Sequence, residues 1–188
     1  GLAGGTMVNQ LNYFFKNDVE IEGVEIDKKV INIAKNYMGL DDENIKIYNQ
    51  DGRMFLRNSS SQYDLIIIDA YQQEIYIPWT LTTREFFRLI NNRLTDKGII
   101  AININSISKG SDLLHSISNT MASVFNNTYL TVENGEGWNY LITASQSELN
   151  FKSLDNLITN NELRDLIPVF NNQTERVKFN NKKLILTD

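Results

Sequence analysis

The 188-residue sequence contains no cysteine and a single histidine, His115. Without cysteine the chain has no disulfide bond, no thiolate nucleophile and no cysteine ligand for a metal, and one histidine cannot form a histidine cluster. We therefore expect no metal site. His115 falls within an apolar helical stretch, where a structural or solvent-facing role is favoured over catalysis.

Long apolar runs and dense basic segments are also missing. The apolar run at Leu65–Ile68 is far shorter than the roughly 20 residues that a membrane-spanning helix needs, and no charged segment followed by an apolar stretch opens the sequence. These absences predict a soluble, cytoplasmic chain. The 18 basic and 23 acidic residues give a formal charge of -5 without a Lys/Arg track suited to a phosphate backbone, so we expect no nucleic acid partner.

The apolar content is sufficient for one sizeable core. Hydrophobic residues make up 41% of the sequence and aromatic residues 10%, which at this length predicts a single domain over residues 1–188. We place its core in residues 1–145 and a C-terminal extension in residues 146–188.

Helical and strand-like patterns alternate through this core. Strands are predicted at 19–26, 45–48, 63–69 and 98–103, helices at 7–15, 27–38, 52–57, 82–94 and 111–125, and an antiparallel hairpin at 128–133 and 140–144. Asp27 is the expected N-cap of the helix at 27–38, whose buried side is expected to carry Val30, Ile31, Ile33 and Ala34. The unbroken apolar centre of the strand at 63–69 predicts that it is covered on both faces. Beyond it we predict two short helices, at 151–161 and 162–170, and a strand at Lys183–Leu186. The alternation predicts an α/β, doubly wound, mostly parallel sheet that ends in a C-terminal hairpin. Because the opening glycine-rich turn has no strand before it, the first strand of this fold is expected to be missing from the sequence.

Ligands of such a sheet bind beyond the carboxyl ends of the strands, and two candidate features lie near the start of the chain. The turn containing Gly1, Gly4 and Gly5 lets the backbone approach a ligand at a helix N-terminus, although a tight turn without a ligand explains it equally well. Glu25 follows about 20 residues later at a strand end, where a carboxylate accepts ribose hydroxyls. Its alternative is a solvated strand end.

Two aspartates occupy the corresponding places after later strands. Asp51 is positioned to accept a hydrogen bond from an adenine amino group or, alternatively, to cap the next helix. Asp69 ends the most apolar strand, where a carboxylate can orient a cationic amine and accept its proton, or simply cap the loop. The loop that follows carries Tyr71 and further polar and aromatic residues that either line a pocket or pack on themselves as a lid.

These segments resemble spermidine synthases in their content and order over residues 1 to about 145. The matching segments are the glycine turn, Val24–Asp27, Asn49–Gly52, Tyr63–Asp69 and Leu81–Phe87. The resemblance implies a class I, Rossmann-like methyltransferase fold that binds S-adenosylmethionine or its decarboxylated form. It assigns cofactor contacts along the methionine part to Gly1, Ala3 and Gly5, the ribose to Glu25, the adenine end to Asp51 and Gly52, and catalysis to Asp69.

The sequence departs from that family at two acidic positions. Gly4 stands where spermidine synthases have an aspartate that holds the amino end of the cofactor. Gln72 stands where they have a second acid that grips the polyamine, and we expect Glu74 to substitute for it in part. We therefore place Tyr71, Gln72 and Glu74 in the substrate site.

Three functional hypotheses follow. The first is a spermidine synthase-like transferase in polyamine biosynthesis that alkylates an amine or other small nucleophile by direct displacement. The second is a small-molecule methyltransferase, which the loss of both family acids favours. The third is a noncatalytic ligand-sensing domain, because the sequence also resembles synthase-like domains fused to membrane segments. A homodimer is a further possible assembly, since spermidine synthases commonly dimerise.

Overall fold

A computed structural model of the chain describes residues 1–16, 18–40, 45–71, 77–132 and 138–188. These residues form two compact units, Gly1–Ser59 and Ser60–Asp188. The single domain expected from the sequence, with its core and C-terminal extension, stays a prediction. No helix among the described residues is long and apolar enough to cross a membrane.

The first unit alternates helices and strands in the expected order. Its elements are α1 (Thr6–Phe15), β1 (Ile21–Glu25), α2 (Lys28–Tyr37), β2 (Ile45–Asn49) and α3 (Gly52–Asn58). Strands β1 and β2 run parallel, with Glu25 opposite Asn49 at their last pair. Both strands therefore end at the same edge, as parallel strands must, and this edge carries the polar residues that the sequence singles out.

Apolar residues from α1, α2 and the strands form the core of the first unit. Its buried members are Leu2, Val8, Ala34, Leu40 and Ile45. Helix α2 begins at its N-cap Asp27, whose side chain accepts from the Lys29 amide, as the sequence predicts. The expected burial of Ile33 is wrong, since 50% of its surface is exposed, because it lies two residues from buried Ile31 and hence on the opposite side of the helix.

The second unit contains a five-stranded sheet with helices around it. Its elements are β3 (Tyr63–Ile68), α4 (Arg84–Asn91), β4 (Leu94–Asn105), α5 (Asp112–Ala122), β5 (Asn127–Val132), β6 (Asn139–Ser145), α6 (Leu154–Leu157), α7 (Asn161–Arg164), α8 (Ile167–Gln173) and β7 (Thr174–Val177), with 3₁₀ helices at Trp79–Leu81 and Phe151–Ser153. The strand order is β3-β4-β6-β5-β7. β3 and β4 are parallel, and β5 and β6 form the expected antiparallel hairpin.

Alternate residues of β4 supply the centre of the second core. Ile100, Ile102 and Ile104 are fully buried, as are Phe87 and Ile90 of α4. This period of two is what a strand with one covered face requires. Because one face of β4 is buried, the residues that alternate with these isoleucines, such as Asn103 and Asn105, point to the opposite face of the sheet.

Two expectations for the second unit are wrong. The apolar strand β3 was expected to be covered on both faces, yet it lies at the edge of the five-stranded sheet and Leu65 is 45% exposed. The alternate residues Ile66 and Ile68 are buried, whereas Leu65 points to the opposite face, because successive side chains of a strand alternate between the two faces. Residues Lys183–Leu186 form no strand, and the C-terminal strand is instead β7, paired antiparallel with β5.

Side chains of α5 make the hydrogen bonds that hold those last residues. The Asn119 side chain donates to the carbonyls of Asn180, Lys183 and Leu184 and accepts from the Asn180 amide. Thr120 Oγ1 accepts from the Leu186 amide at 3.0 Å. Hydrogen bonds that a strand would make to a neighbouring strand are thus made to a helix.

Candidate functional site

The glycine-rich turn before α1 has a backbone that few side chains tolerate. Gly5 adopts φ +80°, and an added Cβ would lie 2.6 Å from Leu40 Cδ1, so both conformation and packing require glycine there. Ala3 also lies in the left-handed region, with φ +45°. Gly4 faces Met38, whose Cε lies 2.6 Å from the place of an added Cβ. The thioether of Met38 therefore fills the space that an acidic side chain at position 4 would enter.

Glu25 joins this turn to the end of β1. Its Oε2 accepts from the amides of Leu2 at 3.1 Å and Ala3 at 3.3 Å, and its Oε1 accepts from the Asp27 amide at 3.1 Å. The carboxylate thus neutralises the positive ends of three peptide dipoles and fixes the shape of the turn. It also presents a charged acceptor at the C-terminal end of the strand, where the sequence predicts it.

Asn49 is a residue of this edge that the sequence reasoning missed. Its Nδ2 donates to the carbonyls of Glu25 at 2.9 Å and Ile26 at 3.0 Å. Because β2 ends opposite Glu25, the amide reaches across the pair and fixes the backbone that carries the carboxylate. The sequence feature that could have identified Asn49 is its position at the end of a strand, because polar side chains at the strand ends of a parallel sheet lie close together.

Asp51 and Gly52 lie just beyond β2 at the start of α3. The Asp51 side chain accepts from the Met54 amide at 2.8 Å and is the N-cap of the helix, so the capping alternative is realised. A contact with adenine through its other oxygen stays a prediction. Apart from its chain neighbours and its own helix backbone, no atom of the described residues lies within 4 Å of an added Cβ at Gly52, so the backbone there is open to a flat ring.

Asp69 follows the last residue of β3 and is exposed. The Nδ2 of Asn103, near the end of the parallel strand β4, approaches its Oδ1 to 3.5 Å, the outer limit of a hydrogen bond. Among the described residues, the Asp69 carboxylate has this one weak donor on one oxygen, and its other acceptor positions suit a ligand. Asn103 was not among the residues that the sequence predicted.

Tyr71, two residues further on, is partly buried with its hydroxyl against β4. The hydroxyl donates to the Asn103 carbonyl at 2.7 Å and accepts from the Asn105 amide at 3.0 Å. Burial raises the pKa of Tyr71, and the negative charge of Asp69 raises it further, while the Asn105 amide lowers it. The phenol therefore keeps its proton throughout the neutral range, as its bond to a carbonyl requires.

The remaining residues to place are Gln72, Glu74, His115 and Trp79, the last of which belongs to the polar and aromatic loop that follows Asp69 in the sequence. Gln72 and Glu74 lie outside the described residues, so their place in the substrate site stays a prediction. His115 is exposed on α5, in agreement with a solvent-facing role. Trp79, which starts the 3₁₀ helix before α4, is 65% exposed.

The sequence model of the spermine/spermidine synthase domain matches residues 2–153. A probable polyamine aminopropyl transferase from Bifidobacterium longum (strain NCC 2705) is 37% identical over 128 residues, which are 68% of this chain and 28% of that protein. The chain thus spans little more than a quarter of the length of this relative. It spans less than half of two further curated relatives, both named polyamine aminopropyltransferases.

Solved structures with a similar fold include a probable spermidine synthase from Corynebacterium glutamicum ATCC 13032, with a TM-score of 0.78 and 17% identity over 100% of this chain and 70% of that chain. Human methyltransferase-like protein 13 in complex with SAH gives a TM-score of 0.70 and 19% identity over 91% of this chain and 78% of that chain. At these identities the similarity concerns the fold alone. It confirms the α/β, methyltransferase-like fold that the sequence predicts.

Proposed function

The chain belongs to the spermine/spermidine synthase family, and from that premise we propose that it is a transferase. It binds S-adenosylmethionine or its decarboxylated form and alkylates a small amine by direct displacement. The observation that carries this proposal is the exposed carboxylate of Asp69, placed at the C-terminal end of a parallel strand. In sheets of this type that end is where ligands bind.

The polar edge of the first unit has the acceptors that an adenine nucleoside needs. Glu25 uses both positions of Oε2 and one of Oε1 on backbone amides, and a carboxylate has about four acceptor positions. Counting the described residues, one position of Oε1 remains for a ribose hydroxyl, whereas the sequence alone predicted that Glu25 accepts both ribose hydroxyls. The open backbone at Gly52 and the second oxygen of Asp51 suit the base.

The chemistry requires little of the protein beyond alignment and proton removal. The sulfonium of the nucleoside substrate makes the carbon next to it electrophilic. Asp69 attracts the cationic amine, accepts a proton from it and so frees the nitrogen lone pair. A carbon–nitrogen bond then forms as the carbon–sulfur bond breaks, the electron pair stays on sulfur as a neutral thioether, and the proton passes from Asp69 to solvent.

A methyltransferase is the second candidate, and the space at Gly4 favours it. Because position 4 is glycine and Met38 lies against it, this turn presents no acidic side chain to repel the carboxylate of intact S-adenosylmethionine. A noncatalytic ligand sensor differs from both in predicting binding without turnover. A homodimer, a cytoplasmic location and fusion to a membrane segment stay predictions.

Deletion of a single ribose hydroxyl tests the assignment of Glu25. We expect one of the two analogues, 2′-deoxy- or 3′-deoxy-methylthioadenosine, to bind the wild-type protein about tenfold more weakly than methylthioadenosine, since a hydrogen bond to a charged group contributes about 1.5–3 kcal/mol. Glu25→Ala should bind all three ligands with equal affinity. Isothermal titration calorimetry measures each dissociation constant.

Glu20→Ala is the matched control, because Glu20 is an exposed carboxylate just before β1. It should keep the wild-type preference for the ribose hydroxyl. If Glu25→Ala retained the full penalty for the missing hydroxyl, Glu25 would hold only the turn and the ribose assignment would be wrong. No binding of any of the three nucleosides by folded protein would exclude the nucleoside site altogether.

A further inference from the structure

Parallel pairing between β3 and β4 stops before β4 ends. The last pair is Ile68 with Ile102, whereas β4 continues to Asn105 and pairs on its other side with β6 as far as Asn139. Within the described part of the chain, no strand continues β3 alongside Asn103–Asn105. The backbone groups of this stretch that point towards the β3 side therefore need other partners.

The Tyr71 hydroxyl supplies both of those partners. In a parallel ladder, one residue donates to a carbonyl of the neighbouring strand and accepts from an amide two residues further along it. Tyr71 makes this pattern with one atom, because its hydroxyl donates to the Asn103 carbonyl and accepts from the Asn105 amide. The phenol thus takes the place of one residue of a strand opposite Ile104.

This arrangement also determines where Asp69 points. The chain leaves β3 at Ile68 and is fastened to β4 again at Tyr71, so the two residues between them span a short, fixed distance. Asn103 lies at the same place on β4, with its carbonyl held by Tyr71 and its Nδ2 facing Asp69 Oδ1 at 3.5 Å. The position of the carboxylate is therefore set mainly by the backbone on either side of it, and the Asn103 amide is placed to orient it by a weak contact.

We propose that Tyr71 and Asn103 are positioning residues that hold the Asp69 carboxylate for the transfer reaction, and that Tyr71 is not a substrate ligand. The inference rests on the proposed function of Asp69. The phenol oxygen already accepts from the Asn105 amide, and its proton is donated to the Asn103 carbonyl. An incoming ammonium group, which only donates, thus meets an oxygen that is already in use on β4. The sequence placed Tyr71 in the substrate site, and the hydrogen bonds give it a different role.

Steady-state kinetics of the whole protein separate the two roles of Tyr71. Tyr71→Phe should lower kcat about tenfold and leave KM for the amine unchanged. Without the hydroxyl, Asp69 is held less firmly, which weakens its alignment in the transition state but not the binding of the substrate. Asn103→Ala should give the same pattern. The double variant should lose no more than about tenfold, because both residues act through one carboxylate.

Tyr129→Phe is the control for loss of a phenol hydroxyl from the same sheet, since the Tyr129 ring packs against Phe151. It should leave kcat and KM unchanged. A raised KM with an unchanged kcat in Tyr71→Phe would show a substrate ligand and overturn the inference while the proposed function stood. Multiplicative losses in the double variant would overturn it too. A wild-type protein that transfers nothing would overturn both proposals.

Discussion

Asp69→Asn is expected to lower kcat by about 10²–10⁴-fold, the range that a positioned general base contributes. Asparagine has the shape of aspartate but carries no charge to attract the amine and no basic oxygen to accept its proton. Affinity for methylthioadenosine, which contains no amine nucleophile, should stay at the wild-type value. Initial rates of thioether release, together with calorimetric titration, measure both quantities.

Asp64→Asn is the matched control for this change. Asp64 is an exposed carboxylate on the same strand and accepts a hydrogen bond from Thr95 Oγ1 at 2.9 Å. Its substitution should leave kcat within about twofold of wild type, since Asp64 lies near the N-terminal end of β3, at the opposite end of the strand from Asp69. Equal losses in the two variants would show a general effect of charge and would remove Asp69 from the chemistry.

Asn119→Ala is expected to destabilise the protein by about 2–4 kcal/mol. Asn119 is 2% exposed, and its side chain makes four hydrogen bonds to the backbone of residues 180–184. Each is expected to contribute about 0.5–1.5 kcal/mol, and alanine leaves a small cavity in addition. Urea denaturation followed by circular dichroism gives the free energy of unfolding.

Hydrogen exchange distinguishes loss of these bonds from a general weakening of the core. The Asn180 amide donates to Asn119 Oδ1 at 2.9 Å. In Asn119→Ala this amide should exchange faster by local opening, under conditions in which the protein as a whole stays folded. The exposed residue Asn92 serves as the control, and Asn92→Ala should change neither stability nor exchange. An unchanged Asn180 amide in Asn119→Ala would show that this contact does not hold the C-terminal segment.

Local chemistry made much of the fold predictable from the sequence. Asp27 and Asp51 cap α2 and α3, and the alternation of apolar residues located β1, β4 and the β5–β6 hairpin. Each of these signals depends on residues within a few positions of each other, where side-chain type and backbone conformation are directly coupled. The position of Glu25 at a strand end was predictable for the same reason.

Long-range partners account for what the sequence did not reveal. Asn119 is 61 residues from Asn180, and Tyr71 is 32 residues from Asn103, so no local pattern distinguishes these side chains from other polar ones. Leu65 belongs to an unbroken apolar run, which is equally compatible with a central strand and with the edge position that β3 occupies. Only the pairing of strands decides between them.

The central claim, transfer to a small amine, is tested most directly by mass spectrometry of the products formed by the whole protein. Decarboxylated S-adenosylmethionine and S-adenosylmethionine are each incubated with a diamine. The account predicts methylthioadenosine and an aminopropylated amine from the decarboxylated substrate. S-adenosylhomocysteine and a methylated product from the intact one would instead establish the methyltransferase alternative. A folded protein that forms no thioether product from either substrate would contradict the account.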